Sequence, residues 1–171
     1  MEVLEQKKAT LSLLVENNSG VLARIASLFE RRGYNIETIA ASTTESPRFS
    51  RITITTFGTA PIIEQIVKQT QKLPEILTVE LLEEADSIQR ELLLLKIAVG
   101  GQERSIVRDV AEVYKASIVD LSSRSMVLEL TGKSSKIDAF LRVMEDFTVL
   151  ELCRTGVTAM AHGDGMLRGG V

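Results

Sequence analysis

Residues 9–33 read ATLSLLVE, then NNSG, then VLARIASLFERR and a closing G, and the change of rhythm inside this stretch decides the fold. Ala9–Glu16 is a Leu- and Val-rich run of strand length. Asn17-Asn18-Ser19-Gly20 interrupts it. Beyond the interruption Val21, Leu22, Ile25, Leu28 and Phe29 recur at spacings of three and four, which stacks them on one helix face. Ser19 or Asn18 is placed to cap that helix, and Gly33 to end it. Strand, tight polar turn and helix in this order open a βαβ unit.

The pattern continues outward. Asn35–Thr44 is rich in β-branched residues and predicts a second strand. Phe49–Phe57 alternates, with Ile52 and Ile54 on one face and Arg51, Thr53 and Thr55 on the other, which predicts a half-exposed strand. Pro61 opens a second helix with Ile62, Ile63, Ile66 and Val67 apolar, and Ile76–Leu82 predicts a fourth strand. The order is β-α-β-β-α-β. It then repeats. Leu92–Val99 is a strand, and Arg104–Tyr114 a helix with Ile106, Val107, Val110 and Val113 expected inside. Ser117–Leu121 and Ser125–Thr131 predict a hairpin, Ser134–Met144 a helix, and Val149–Cys153 a closing strand. The expected class is α+β, with two ferredoxin-like βαββαβ domains in tandem. The first spans 9–84, a charged linker 85–91, the second 92–160, and a glycine-rich flexible tail 161–171.

Composition narrows the function. Net charge is −3, pI about 5.3 and the aromatic fraction 4%, so neither a polyanionic surface nor base stacking is favoured, and no nucleic-acid or membrane partner is expected. RNA-recognition domains share this topology, but the third strand has rings only at Phe49 and Phe57. The N-terminal residues 1–8 have no apolar core of a signal peptide, and the single Cys153 fits a reducing, cytoplasmic compartment.

Catalytic signatures are weak. Cys153, in an apolar strand, reads as a buried small hydrophobe, and the one histidine, His162, sits in the glycine-rich tail. Thr131-Gly132-Lys133-Ser134 resembles the end of a P-loop but has Val127 where that loop needs glycine. His162-Gly163-Asp164-Gly165 lacks the downstream ligand of a thiamine-diphosphate motif. Neither a catalytic residue nor a metal ligand is assigned, and a binding module is expected.

One stretch carries a physical argument for binding. A helix N-terminus has unpaired N–H groups and partial positive charge, which suit a carboxylate. Gly20 lets a ligand approach the backbone, and the amides of Asn17 and Asn18 can both donate and accept. Val21, Leu22 and Ile36 could line an apolar pocket, with Asn35 near the turn or near its copy across a dimer. A free amino acid presents the matching groups. Asn, Ser and Gly before a helix are also ordinary capping residues, and spacing alone does not separate the two readings.

The residues 13–22 (LLVENNSGVL) and 29–37 (FERRGYNIE), with Ser50–Ile54, Arg90–Leu92, Ile118–Asp120, Gly132–Phe140 and Arg154–Gly156, resemble the small regulatory subunit of acetolactate synthase (acetohydroxyacid synthase) over nearly the whole chain. The resemblance implies that the first domain is an ACT domain that pairs with its copy in a homodimer and binds the effector valine there. By position Asn17, Gly20 and Asn35 are the family's effector residues; with the turn and its apolar neighbours, the expected effector-binding set is Asn17, Asn18, Ser19, Gly20, Val21, Leu22, Asn35 and Ile36. It implies no cofactor in this chain and no catalysis by it. The partner would be a catalytic large subunit holding thiamine diphosphate, magnesium and flavin (FAD), activated by this chain and made subject to feedback inhibition in branched-chain amino acid biosynthesis. The alternative is an ACT-type sensor for another amino-acid biosynthetic enzyme.

Overall fold

The computed structural model describes residues 5–167. They form nine strands and four α-helices in the order β1 (Lys7–Glu16), α1 (Val21–Arg32), β2 (Thr38–Thr43), β3 (Phe49–Gly58), α2 (Ala60–Thr70), β4 (Ile76–Leu82), β5 (Ser87–Ala98), α3 (Glu103–Tyr114), β6 (Ser117–Leu121), β7 (Ser125–Gly132), α4 (Ser134–Val143), β8 (Val149–Arg154) and β9 (Thr158–Ala161). The first antiparallel sheet has the order β2-β3-β1-β4 and the second β6-β7-β5-β8, with β9 also paired to β5. Both are the ferredoxin-like arrangement expected. Among the described residues no helix is long and apolar enough to cross a membrane.

The residues up to Gln89, together with those from Val157 on, form one unit, and Arg90–Gly156 forms the other. This departs from the expected boundaries. Ser87–Gln89, expected in a linker, begin β5, and residues 157–160, expected in the second domain, belong to the first unit. Val157 and Ala159 pack there with Leu82, and the Arg51 Nη1 donates to the Ala159 carbonyl at 3.2 Å. The expected tail begins with Ala161 in β9, and the His162 N–H donates to the Asp86 carbonyl at 3.0 Å. Its last four positions, and the first four of the chain, lie outside the described residues.

In the first unit alternate residues of β1, Leu11, Leu13 and Val15, pack with Ile52 and Ile54 of β3, Ile25 and Phe29 of α1, and Ile66 of α2. Period two on the strands and period 3.6 on the helices bring these faces together. The opposite sheet face is not open as expected for β3: Thr53 and Thr55 are as buried as Ile52 and Ile54. Thr55 shares a 2.6 Å hydroxyl bond with Thr38, and β9 lies against β1 and β4. In the second unit Leu93, Leu95 and Ile97 pack with Met126, Leu128 and Leu130 under Val107, Ile137 and Phe140. Helix α3 turns Val107 and Ala111 inward, but Ile106 and Val113, expected inside, are exposed. Cys153 is also exposed, not buried: it pairs across β5 with the outward-facing Leu94, on an edge strand.

Candidate effector site

The turn after β1 is built by backbone and side chain together. The Asn17 N–H donates to the Arg48 carbonyl at 2.8 Å, its Nδ2 donates to the Pro47 carbonyl at 3.0 Å, and the Ser50 hydroxyl donates to its Oδ1 at 3.0 Å. Asn17 thus clamps the turn to the start of β3. Asn18 Nδ2 donates to Glu16 Oε2 at 2.7 Å. Neither Asn18 nor Ser19 caps α1. The capping position is Gly20, at φ 86° and ψ −4°, and no side chain accepts from the first helical turn. The reason is conformational. A left-handed residue immediately before the helix re-aims the chain, and Asn18 is drawn back to Glu16 instead. The N-terminal N–H groups of α1 are therefore left available to an anion, with the positive end of the helix dipole behind them.

These groups border a cavity of about 240 Å³ lined by Val15–Leu22 together with Ala41, Ser50 and Ile52. Asn17, Asn18, Ser19, Gly20, Val21 and Leu22 are thus brought together. Its floor is aliphatic: Val15, Val21 and Ile52 are buried core residues. Ala41, Ser50 and Ile52 were not singled out for the site; they reach it only because β2 and β3 pair Ala41 with Ile52. The signal available was that Ser50 and Ile52 stand in one of the stretches carrying the family resemblance.

Asn35 and Ile36 do not line this cavity. Asn35 precedes β2 instead of opening it, and its carbonyl accepts from Thr56 Oγ1 at 2.6 Å, level with Ala9 near the start of β1. Ile36 packs against the first core. The turn lies at one end of α1 and Asn35 beyond the other, about 18 Å apart at 1.5 Å per residue over the helix. One chain does not bring both to one small ligand.

A larger cavity, about 680 Å³, lies at the Asn35 end of the sheet between α2, β1 and β4. Its rim mixes Lys7 and Lys8 with Glu64, Glu83 and Glu84, and none of the predicted effector residues lines it.

A polar centre in the second unit joins residues from three separate stretches that carry the family resemblance, and no one of those stretches signals it alone. Glu91 is only 2% exposed. Arg154 donates to its Oε2 from Nε at 2.9 Å and from Nη2 at 2.6 Å, and from Nη1 to Asp138 Oδ1 at 2.8 Å. Ser134 at the start of α4 donates to Glu91 Oε1. Burial works against the Arg154 charge, but the bonds to Glu91 and Asp138 outweigh it and hold the guanidinium above its ordinary value. The group ties β5, α4 and β8 together. Among the described residues no group of three or more His, Cys, Asp or Glu could hold a metal ion.

Known proteins place this architecture. Residues 11–78 match the family described as AHAS small subunit-like ACT domain, and residues 90–163 the family described as small subunit of acetolactate synthase. The chain is 42% identical over 154 residues to the acetolactate synthase small subunit of Buchnera aphidicola, covering 90% of this chain and 98% of that one. It is 39% identical over 159 residues to the acetolactate synthase isozyme 3 small subunit of Escherichia coli, covering 92% and 98%. The crystal structure of the Thermotoga maritima acetolactate synthase small subunit superposes with a TM-score of 0.86 at 33% identity, covering 93% of this chain and 99% of that one.

Proposed function

Because this chain belongs to the acetolactate synthase small-subunit family, we propose that its first unit is the sensor through which valine controls a catalytic large subunit. At the coarser level the family makes it a regulatory subunit carrying an ACT domain. The observation that carries the finer reading is the first turn of α1: no side chain caps its N–H groups, and it opens on a small aliphatic cavity. The α-carboxylate of valine would accept from those N–H groups, and its isopropyl group would sit against Val15, Val21 and Ile52. Asn17 acts as a positioning residue, since its side chain is already engaged with Pro47 and Ser50.

Asn35 enters from a second copy. Its distance from the turn within one chain supports a site completed across a homodimer of ACT domains, with Asn35 and Ile36 of the copy closing over the ligand. The chain itself has no catalytic role in this reading. Thiamine diphosphate, magnesium and flavin belong to the large subunit, and the small subunit selects between its more and less active arrangements.

The test is reconstitution. The chain is copurified with an acetolactate synthase large subunit, and acetolactate formation is measured with and without valine. Activity should rise on addition of the chain and fall with valine. Activation that valine leaves untouched would sink the sensor reading and keep the regulatory one.

A further inference from the structure

A helix start ordinarily carries acidic residues, which suit the positive end of its dipole. Helix α1 has none in its first turn and places Arg24 at the fourth helical position instead. The charge is held from one side. Arg24 Nε lies 2.9 Å from Glu75 Oε1, and the glutamate side chain is 12% exposed against 54% for the arginine. Glu75 is itself fixed beside the effector turn, because its carbonyl accepts from the N–H of Glu16 at 2.9 Å, one residue before Asn17. Engaged through Nε, the guanidinium brings Nη2 to 4.0 Å from the point where a Cβ on Gly20 would stand. Arg48, whose carbonyl meets Asn17, lays its own guanidinium over Phe49, 5.5 Å from the ring centroid.

Two positive features therefore flank Gly20, the first-turn N–H groups of α1 and the Arg24 guanidinium. A Cβ stands about 3 Å from the next backbone nitrogen, so Nη2 is within roughly 7 Å of the Val21 nitrogen. A carboxylate with one oxygen on each donor bridges a gap of that size. We infer that Arg24 is a specificity-determining residue of the effector site: it takes one oxygen of the ligand's α-carboxylate while the N–H groups of α1 take the other, and Glu75 positions it. Backbone N–H groups donate to a neutral amide carbonyl as well as to a carboxylate, whereas a guanidinium favours the charged acceptor. The site so built selects a free α-carboxylate. Arg24 stands outside the lining of the 240 Å³ cavity, which is left for the aliphatic side chain. The inference rests on the sensor reading proposed above.

The test is calorimetry of the full chain with valine and with valinamide, in which a neutral amide replaces the carboxylate. Removing Arg24 alone would strand the largely buried Glu75 carboxylate, so the variants are made with Glu75→Gln as background. There Arg24→Met should weaken valine binding at least about tenfold, the loss of a charge-assisted hydrogen bond. It should weaken valinamide binding less than about twofold. Arg24→Lys, which keeps the charge without the planar fork, should fall between background and Arg24→Met for valine. Arg31→Met, in the last turn of the same helix, should leave both affinities unchanged. Valine affinity kept in Arg24→Met, equal losses for the two ligands, or Arg24→Lys no better than Arg24→Met would overturn the inference. A parent chain that binds no valine would strike the sensor reading and this inference with it. A parent that binds valine leaves the sensor reading standing whichever way the variants fall.

Discussion

Gly20 shows how one residue serves both fold and site. At φ 86° an L side chain is strained by about 1–2 kcal/mol, which glycine avoids. A Cβ placed there would meet only the far end of Arg24, with Nη2 at 4.0 Å. Gly20→Asp should therefore fold, with a stability loss of about that size. Its carboxylate would occupy the anion position at α1 and abolish valine binding. Calorimetry of the variant is the check, and parental affinity would remove the turn from the site. Arg154 makes the opposite case, a charge needed by another buried charge. Arg154→Met strands the Glu91 carboxylate, and such losses cost about 3–5 kcal/mol. Urea unfolding should show this drop, and Glu91→Gln added to Arg154→Met should recover part of it.

Among the elements, β9 changes the meaning of the sheet beside it. Alternation in Phe49–Phe57 identifies the strand but not what lies on its second face, because a Thr can face water or a covering segment with the same period. The cover is supplied from the far end of the chain, where Val157 and Ala159 meet Leu82 and Arg51 holds the Ala159 carbonyl. Val157→Ala should destabilise the first unit by about 2 kcal/mol. It should also speed amide exchange in β1 and β3 more than in β7, and uniform exchange rates would argue that β9 is not a structural part of that unit. Arg51 stands between Ser50 and Ile52, both of which line the effector cavity, so the same strand carries the site on one face and the cover on the other.

For the whole molecule, regulation requires that effector and partner bind with linked free energies. A coupling of about 1–3 kcal/mol changes affinity about 5- to 150-fold, and the change is reciprocal. Valine affinity measured on the free chain and on the complex with a large subunit should differ within that range. Equal affinities would mean that valine does not act through this chain. The element order, both helix–strand rhythms and the motifs of the family were legible in the sequence, because periodicity and short motifs are properties of neighbouring residues. Most of the candidate site was legible for the same reason: Asn17–Leu22 are contiguous. What only the tertiary structure decided was non-local. It brought Ala41, Ser50 and Ile52 to the turn and kept Asn35 at the far end of α1. It also joined Glu91, Asp138 and Arg154 in one buried group, returned residues 157–161 to the first unit and left Ile106 and Val113 outside the second. Pairing between distant segments determines which surfaces lose water, and no local pattern encodes that choice.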